Sequence, residues 1–311
     1  MSGTSLVLLT YNGEKYLAQL LEMVSRQKTA VAEMIAIDSG SSDATLDILR
    51  RFAVKIHEIP QQEFGHSRTR NFAAHLAREN YIAFLTQDAT PADSCWLERL
   101  EAGFYNFPNV AGAFSRQIPR PNSDLLNAND LRMYFSNQRY VRSGILAGVD
   151  IWKAIQFSNA SALYDRRLLL ENPFNETLQM GEDQEWAKRM LESGYSIVYE
   201  PESMVLHSHD HTLREKYHRN LQMGKSFSQF LSPVLGRRTF PFGGWLYHVA
   251  SDLKFIPGAD AGWREKFRWL CRSPIHRAAM HYAYYKGWND RGAGVSARDG
   301  IVRPIPPTIR T

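Results

Sequence analysis

Two acidic stretches of the sequence contain the residue types that could carry chemistry. In the first, residues 81–91 (YIAFLTQDATP), an apolar run ends at Asp88, and Pro91 prevents it from continuing as a strand. This pattern predicts a buried strand that carries Asp88 to the carboxyl edge of a sheet, where ligands bind in open α/β folds. The alternative is an ordinary strand end with a solvated turn aspartate.

The second stretch, residues 181–190 (GEDQEWAKRM), places Glu182 and Asp183 at the start of a helix. The helix dipole there favours ionised carboxylates, so we expect a lowered pKa for both. A carboxylate so placed can act as a general base, although acidic first turns are also common helix caps. The apolar residues that mark the buried face of this helix are Trp186, Met190 and Leu191.

Three histidines alternate with other residues in 205–211 (VLHSHDH). In an extended chain His207, His209 and His211 share one face. The sequence contains neither HExxH nor paired cysteines, which argues against a dedicated zinc site. We expect instead that one histidine completes an oxygen-rich metal site, and the alternative is a histidine satisfied by its own hydrogen bonds.

Two early strands end in polar turns that open helices. The strand predicted at residues 5–10 is followed by the turn Asn12-Gly13. The strand predicted at residues 34–37 is followed by the polar turn 38–43 (DSGSSD). Such turns offer backbone N–H groups to phosphates or a nucleotide. Asp38 could accept a hydrogen bond from a base or ribose, or serve only the turn. Neither GxGxxG nor GxxxxGK[ST] occurs, so the dinucleotide fingerprint and the P-loop are absent.

A further stretch, residues 63–71 (EFGHSRTRN), leads into a helix that we expect Ser67 or Thr69 to cap. His66 and Arg70 then lie near the helix N-terminus, where an anion is favoured. Arg70 could pair with a diphosphate, and a solvated first turn is the equal alternative.

These segments alternate between strand and helix patterns. Helices are predicted at 14–26 and at 43–52, the latter with Ser42 as N-cap. The helix that follows the 63–71 stretch is predicted to end at about residue 78, and another is predicted from 96 to 107. Further strands are predicted at 54–59, 110–114, 157–163 and 195–199. The alternation predicts an α/β fold with a mostly parallel central sheet flanked by helices. The Pro- and Asn-rich residues 116–129 are predicted to form a mobile loop that acts as a lid.

The last third of the chain differs from the rest in charge. Residues 1–211 contain 20 Lys and Arg against 26 Asp and Glu, whereas residues 212–311 contain 17 against 6, which together give the net charge of +5. Helices are predicted at 213–231, 244–255 and 263–285, and residues 290–311 are predicted to form a disordered or loosely docked tail. Aromatic and basic residues interleave on the last helix. This combination suits an anionic membrane interface, nucleic acid, or packing on the body of the protein.

The size and composition of the chain restrict its class. At 311 residues it exceeds a typical single core, so we expect two domains or one domain with an appendage. The two cysteines, Cys95 and Cys271, are far apart, which indicates a reducing compartment. No signal peptide is recognisable at the N-terminus, and no run of 18 apolar residues occurs. We therefore predict a cytoplasmic protein.

Six of these motifs, taken in order, resemble glycosyltransferase family 2, the inverting enzymes with the GT-A fold. They are LLTYNG, DSGSSDAT, the RN of HSRTRN, FLTQDATP, GEDQEWA and the histidine of VLHSH. The motifs span residues 5–211. The resemblance therefore implies a GT-A nucleotide-sugar-binding and catalytic domain at 1–211, with a basic, aromatic-rich helical extension at 212–311.

The resemblance also implies roles for individual residues. Asp88 stands where the family has Asp-x-Asp and would hold Mg²⁺ or Mn²⁺, with His207 as its distal ligand. Asp183 would be the general base, with Glu182 beside it as the second catalytic candidate. The residues expected to bind the nucleotide sugar are Thr10, Tyr11, Asn12, Asp38, Ser39, Gly40, His66, Arg70, Gln87 and Asp88. Because the metal motif reads Gln87-Asp88-Ala89, with one carboxylate, we expect weak metal affinity without donor.

The motifs TQDA and FGHSRTRN resemble in particular the rhamnosyltransferase branch of the family, which uses dTDP-β-L-rhamnose. The implied acceptor is a hydroxyl of a bacterial surface glycan. From the basic charge of the last third of the chain we further hypothesise that this glycan is carried on a polyprenyl diphosphate at the inner face of the plasma membrane. We expect the C-terminal helices to rest on that anionic surface, and we expect no nucleic-acid partner. The alternatives are a UDP- or GDP-sugar donor, or a sugar-phosphate nucleotidyltransferase, whose usual Gly- and Arg/Lys-rich phosphate loop is absent from LLTYNGEKY.

Overall fold

A computed structural model describes residues 3–144, 150–209, 211–236 and 238–290. The strands are β1 Thr4–Thr10, β2 Glu33–Asp38, β3 Lys55–Glu58, β4 Tyr81–Thr86, β5 Thr90–Pro91, β6 Val110–Ile118, β7 Tyr140–Ser143, β8 Ser161–Asp165 and β9 Ser196–Leu206. The helices are α1 Glu14–Ser25, α2 Thr45–Arg51, α3 His66–Leu76, α4 Trp96–Tyr105, α5 Leu125–Tyr134, α6 Ile151–Ala154, α7 Arg166–Glu171, α8 Glu182–Glu192, α9 Leu213–Leu235, α10 Phe242–Phe255 and α11 Trp263–Asn289.

The strands form one sheet in the order β3-β2-β1-β4-β8-β6-β9-β5, with β7 paired to β9. The first four strands are parallel, β8 runs antiparallel to both β4 and β6, and β6 runs parallel to β9. The predicted α/β class is confirmed. The parallel character that the early repeats predict holds for β1 to β4, whereas the second half of the sheet is mixed.

This topology decides which residues meet. Strands β1, β2, β4, β6 and β9 all end at the same edge of the sheet, and β8 begins there because it runs the opposite way. The segments that follow those strands and precede β8 therefore converge on one edge, although they are far apart in the sequence.

Side chains of alternate strand residues pack into two hydrophobic cores, one on each face of the sheet. In β1, Val7 joins the cluster that includes residues of α3, α7 and α8, whereas Leu6 and Leu8 join the cluster that includes residues of α1, α2 and α4. This is the period-two pattern of a strand buried on both sides. The core thus holds the site edge rigidly from both faces.

The helices after residue 212 pack on one another and on α5. Gly224 of α9 and Gly287 of α11 allow close contact, since a Cβ on Gly224 would lie 2.2 Å from the Tyr284 carbonyl oxygen and one on Gly287 would lie 2.0 Å from that of Leu221. Arg277 of α11 forms ion pairs with Asp252 of α10 at 2.8 Å and with Asp130 of α5 at 2.7 Å. The division of the chain at 211/212 stays a prediction.

Two features of the sequence were misread. The segment 116–129 is not one loop, because β6 continues to Ile118 and α5 begins at Leu125, with Asp124 as its N-cap. The predicted strand at 157–163 begins only at Ser161. The expected part of the tail from 291 onward lies outside the described residues.

The predicted helix caps were also wrong. Helix α2 begins at Thr45 rather than at Asp43, and Ser42 instead donates its backbone N–H to Asn12 Oδ1. Ser67 and Thr69 lie inside α3, whose N-cap is Gly65. Polar turns rich in serine offer several cap positions, so the spacing alone does not select one. In the described part of the chain no helix combines the length and apolarity needed to cross a bilayer.

Candidate active site

The turn after β2 is built around Asp38, whose side chain is fully buried. Its carboxylate accepts hydrogen bonds from the backbone N–H groups of Gly40 and Ser41 and from the hydroxyls of Thr10 and Ser41. Four donors within the chain match what a carboxylate can accept. The turn alternative therefore describes what Asp38 does in this structure, and its contact with a nucleotide stays a prediction.

Neighbouring groups join the ends of β1, β2 and β4. Gln87 accepts from the Tyr11 backbone N–H at 2.9 Å and donates to the Tyr11 carbonyl at 3.0 Å. Ser39 donates its backbone N–H to the Thr10 carbonyl, and the Asn12 backbone N–H donates to the Ser41 hydroxyl. The predicted nucleotide-sugar residues Thr10, Tyr11, Asn12, Asp38, Ser39, Gly40 and Gln87 thus lie together at one edge, with Tyr11 and Asn12 exposed.

Asp88 follows β4 and faces two imidazoles. Its Oδ1 lies 3.5 Å from His207 Nε2, and its Oδ2 lies 3.4 Å from His209 Nδ1. One ligand atom from each of the three residues lies within 4.8 Å of the others. One carboxylate and two imidazoles are ligand types that a divalent cation accepts. His211 is not part of this group.

Gln117 at the end of β6 orients His207. Its Oε1 lies 2.7 Å from His207 Nδ1, and its Nε2 donates to the Ser158 hydroxyl at 2.7 Å. Because an amide oxygen can only accept, Nδ1 carries a proton, and Nε2 is the ring nitrogen that faces Asp88. Both His207 and Gln117 are buried, so the ring has little freedom to turn.

The protonation of this group favours cation binding. Burial alone would raise the pKa of the Asp88 carboxyl, but hydrogen bonding to His207 and the proximity of His207 and His209 outweigh it, and the pKa is lowered. Burial, helped by the neighbouring His207, lowers the pKa of His209 to about 3. Asp88 is therefore ionised and His209 neutral at pH 7, as metal ligands must be.

The second acidic group lies at the start of α8. Glu182 is buried and forms an ion pair with Arg70 at 2.6 Å, and it also accepts from the Asn159 side chain at 3.1 Å. Asp183 accepts from the Asn159 backbone N–H at 2.9 Å. Tyr164 fixes Asn159 in turn, because its hydroxyl donates to the Asn159 amide oxygen at 2.6 Å.

The expected lowering of the Asp183 pKa by the helix dipole was wrong. Burial and the adjacent charge of Glu182 raise the pKa of Asp183 to about 7, although the Asn159 backbone N–H and the Arg70 charge act in the opposite direction. The dipole is weaker than the desolvation of a carboxylate that is surrounded by protein. A carboxylate with a pKa near 7 is well matched to proton transfer at neutral pH.

Arg70 and His66 lie on α3, near the acidic start of α8. The solvated alternative for Arg70 was wrong, since only 4% of this residue is exposed. Its guanidinium is committed to Glu182, and its pairing with a diphosphate stays a prediction. His66 lies on the first turn of α3, partly open to solvent, and desolvation of its ring by neighbouring protein and the charge of Arg70 lower its pKa.

The two acidic groups are connected through adjacent residues before β8. Ser158 bonds Gln117 on the Asp88 side, and Asn159 bonds Asp183 and Glu182 on the other side. Arg219 of α9 influences the pKa of both His209, beside Asp88, and His66, near Glu182. Asp88 and Asp183 therefore border the same region of the sheet edge.

Four contributors were not identified from the sequence. His209 and Gln117 join Asp88 and His207 only because β6 and β9 are paired along their length. Asn159 precedes β8, in a segment for which only a strand with polar positions was predicted. Arg120 donates to the Asp88 carbonyl and the Thr90 hydroxyl, and its guanidinium lies 3.9 Å from the centre of the Tyr16 ring. The alternating histidines were the one available signal.

Comparison with known proteins agrees with this arrangement. Residues 5–166 match the pattern of the family described as Glycosyl transferase family 2. The chain belongs to glycosyltransferase family 2. This glycosyltransferase is 31% identical over 256 residues to the O-antigen chain rhamnosyltransferase RfbN of Salmonella typhimurium, with 81% of each chain covered. It is also 31% identical to the O-antigen chain rhamnosyltransferase WbaN of Salmonella anatum, with 82% of each covered.

Solved structures confirm the GT-A fold of this glycosyltransferase. The mannosyltransferase PcManGT from Pyrobaculum calidifontis, solved with GDP-Man and Mn²⁺, is 16% identical with a TM-score of 0.60, and the match covers 94% of this chain and 88% of that one. TarS 1–349 of Staphylococcus aureus, solved with UDP, is 16% identical with a TM-score of 0.56 over 92% and 90% of the two chains. The predicted family and fold are thus confirmed.

Proposed function

We propose that this glycosyltransferase moves L-rhamnose from dTDP-β-L-rhamnose onto a hydroxyl of a lipid-linked bacterial surface glycan, with inversion at the anomeric carbon. The observation that carries the proposal is the pair of aspartates at one sheet edge: Asp88 ionised beside two imidazoles, and Asp183 with a pKa of about 7. The likeness to two O-antigen rhamnosyltransferases supports rhamnose as the sugar.

The turns after β1 and β2 would receive the nucleotide of the donor. The exposed Tyr11 and Asn12 lie at the rim of this edge, and Gln87 holds the Tyr11 backbone in place. The internal bonds of Asp38 keep the turn preformed, which lowers the ordering cost of nucleotide binding.

Asp88, His207 and His209 would hold a divalent cation beside the donor diphosphate. When bound, the cation offsets the negative charge that develops on the departing diphosphate. Two imidazoles with one carboxylate suit Mn²⁺ better than Mg²⁺, which prefers an all-oxygen set. Gln117 holds His207 in the tautomer that leaves Nε2 available.

Asp183 would act as the general base. Its carboxylate takes the proton of the acceptor hydroxyl as that oxygen attacks the anomeric carbon from the face opposite the diphosphate. Glu182 would keep the Asp183 pKa near neutrality, and its ion pair with Arg70 prevents it from acting as the base itself. Asn159 would fix the direction of the Asp183 carboxylate through its backbone N–H.

A donor panel tests the proposal. The full-length protein is incubated with bacterial membranes that contain the lipid-linked glycan acceptor and with dTDP-rhamnose, UDP-glucose, UDP-N-acetylglucosamine or GDP-mannose, and nucleotide release is measured with Mn²⁺ and with EDTA. We expect release from dTDP-rhamnose alone, and only with metal. Preferential release from a UDP- or GDP-sugar would contradict the sugar assignment while leaving the family chemistry intact. Equal release in EDTA would contradict the role of Asp88.

The exposed face of α10 and α11 supports attachment to an anionic membrane. Large apolar side chains recur on each helix at intervals of four, seven or eight residues and thus share a face: Phe242, Leu246 and Leu253 on α10, and Trp263, Phe267, Ile275 and Tyr282 on α11. Trp263 is 73% exposed and Ile275 65%. Exposed cations lie beside them, namely Lys254, Arg264, Arg268, Arg272 and Lys286. Apolar rings with neighbouring cations suit the headgroup region of anionic lipids.

Sedimentation with vesicles tests this attachment. We expect the protein to pellet with phosphatidylglycerol vesicles at low salt and to stay in solution with phosphatidylcholine vesicles. Replacing Trp263 and Phe267 together by serine should weaken binding about tenfold or more, because two large apolar contacts are lost. Tyr105→Ser, at an exposed aromatic position on α4, is the control. Unchanged pelleting of the double variant would contradict the assignment of this surface.

A further inference from the structure

A cavity of about 400 Å³ lies between the start of α10 and the end of α11. It is lined by Arg238, Thr239, Pro241, Tyr284 and Tyr285. None of these residues belongs to the donor, metal or base groups described above. A cation, a hydroxyl and apolar surfaces therefore meet in a space that the proposed function leaves unassigned.

Arg238 is fixed within this cavity by aromatic rings. Its guanidinium lies 4.9 Å from the ring centres of both Trp152 and Trp288. The Asn289 side chain bonds the Arg238 backbone N–H at 3.2 Å and its carbonyl at 2.9 Å. Among the residues that the structure describes, no carboxylate pairs with this guanidinium. An ordered guanidinium without a counter-ion is suited to bind an anion, and phosphate in particular.

Tyr284 supplies a second group for the same ligand. Its hydroxyl is buried and finds no hydrogen-bond partner within the described part of the chain. Burial raises the Tyr284 pKa, against the effect of the nearby Arg238 charge, so the hydroxyl keeps its proton and remains a donor. A buried hydroxyl without a partner is unfavourable, and a ligand that accepts its hydrogen bond would remove that cost.

The cavity is linked to the general base through Phe227 of α9. The Phe227 ring lies 6.4 Å from the Tyr284 ring. On its other side it packs against Gly181, where an added Cβ would lie 2.6 Å from the ring, and Gly181 immediately precedes Glu182 and Asp183. Gly181 has a φ of 76°, which favours glycine. The cavity is therefore separated from the start of α8 by one layer of packed rings.

We propose that this cavity binds the diphosphate of the lipid-linked acceptor, with Arg238 and Tyr284 as its ligands. This proposal rests on the proposed function, because it requires an acceptor whose hydroxyl reaches Asp183. The diphosphate accepts hydrogen bonds from the Arg238 guanidinium and the Tyr284 hydroxyl. Tyr285 and Pro241 offer apolar surface to the groups on either side of it. The cavity also adjoins α10 and α11, whose exposed faces we assign to the membrane.

Calorimetry with inorganic pyrophosphate tests the site. The full-length protein is kept in EDTA, so that the Asp88 group holds no metal and does not contribute through it. Arg238→Gln should weaken binding at least about tenfold, as expected for a hydrogen bond to a charged group. Tyr284→Phe, which removes one oxygen, should weaken it a few-fold. Arg50→Gln, at an exposed arginine on α2, should stay within about twofold of the unsubstituted protein.

Binding of a nucleoside diphosphate with Mn²⁺ serves as the check on folding. It should stay within about twofold in all three variants, because none of them alters the donor groups. If Arg238→Gln also loses nucleotide binding, Tyr284→Phe decides the question. Pyrophosphate affinity that Tyr284→Phe leaves unchanged would then overturn the proposal, as would the absence of pyrophosphate binding to the unsubstituted protein.

Two further probes identify the source of the diphosphate. Tighter binding of farnesyl diphosphate than of pyrophosphate would identify the lipid-linked diphosphate as the ligand. Equal binding would show that the site binds a diphosphate without its lipid, and this result would overturn the acceptor assignment. Dodecyl maltoside, which has a chain but no phosphate, is the control. Nucleotide release from the donor panel is measured separately. Its failure alone would remove the proposed function and leave the diphosphate site standing.

Discussion

Asp88 and Asp183 are the same residue type at the same edge of the same sheet, yet their environments shift them in opposite directions. Two imidazoles face Asp88 and lower its pKa. Burial beside the carboxylate of Glu182 raises the pKa of Asp183 to about 7. One aspartate is thereby kept ionised, as the proposed cation ligand must be, and the other has a pKa near neutrality, as suits the proposed base.

The difference arises mainly from the surroundings that the fold supplies, and the adjacent residue Glu182 adds to it at Asp183. Asp88 is approached by the end of β9, whereas Asp183 is enclosed by Asn159 and by the buried Arg70–Glu182 ion pair. Pairs of titratable groups whose environments separate their pKa values are a common mark of acid, base and metal roles. Four experiments test this difference, and they follow in order of decreasing expected effect.

The largest effect is expected from Asp183→Asn. An amide cannot take the proton of the acceptor, so kcat should fall about 10²- to 10⁴-fold. The affinity for nucleoside diphosphate with Mn²⁺, measured by calorimetry, should not change. Gln184→Ala, at the next position of α8, is the control. Turnover close to that of the unsubstituted protein would remove Asp183 from the role of base.

Asp88→Asn should act on the other side of the comparison. Loss of the one carboxylate that the described residues bring to the metal group should weaken Mn²⁺-dependent nucleotide binding by about a hundredfold, because the amide carries no charge to attract the cation. A Mn²⁺ titration monitored by nucleotide affinity measures this. Asp93→Asn, at a partly exposed aspartate after β5, serves as the reference variant. An unaltered titration would refute Asp88 as a ligand.

His209→Gln tests whether the second imidazole is a ligand. We expect about a tenfold loss of Mn²⁺ affinity, smaller than for Asp88→Asn because one neutral ligand is lost and water can replace it. The matched control is His211→Gln, whose ring stacks on His209 at 4.8 Å but lies outside the metal group. Equal losses in the two variants would indicate packing rather than ligation.

The smallest effect is a shift in the pH profile. Transfer requires ionised Asp183, so kcat/KM should rise with pH through about 7. In Glu182→Gln the adjacent negative charge is gone and Arg70 loses its partner. Both changes lower the Asp183 pKa, so the acid limb should move to lower pH. A limb that stays in place or moves upward would show that Glu182 does not control the base. Glu192→Gln, at the far end of α8, is the control.

The sequence predicted the elements that repeat a simple pattern. The strands β1, β2 and β4 and the helix α8 were recognisable because their apolar residues recur at the spacing of a strand or helix, and Asp88 and Asp183 follow from where those elements end or begin. Helix α5 was missed because its Asn- and Asp-rich sequence favours turns, and it is stabilised by contacts with α10 and α11 that are distant in the chain.

The electrostatics of the site could not be predicted in the same way. The raised pKa of Asp183 depends first on burial of the carboxyl by the folded chain and is opposed by Asn159 and Arg70, which are distant from it in the sequence. The ligand role proposed for His209 depends on where β9 ends relative to β4, which local spacing does not define. Sequence patterns specify elements, whereas pKa values arise from the distances between elements.

The direct backbone contact between α9 and α11 at Gly224 and Gly287 has a consequence for substrate selection. Helix α11 cannot slide or tilt against α9, and α9 abuts the start of α8 through Phe227. If α10 and α11 lie on lipid, the distance between Asp183 and the bilayer surface is then constant. The enzyme would then select glycans whose acceptor hydroxyl lies at one fixed distance from the membrane surface.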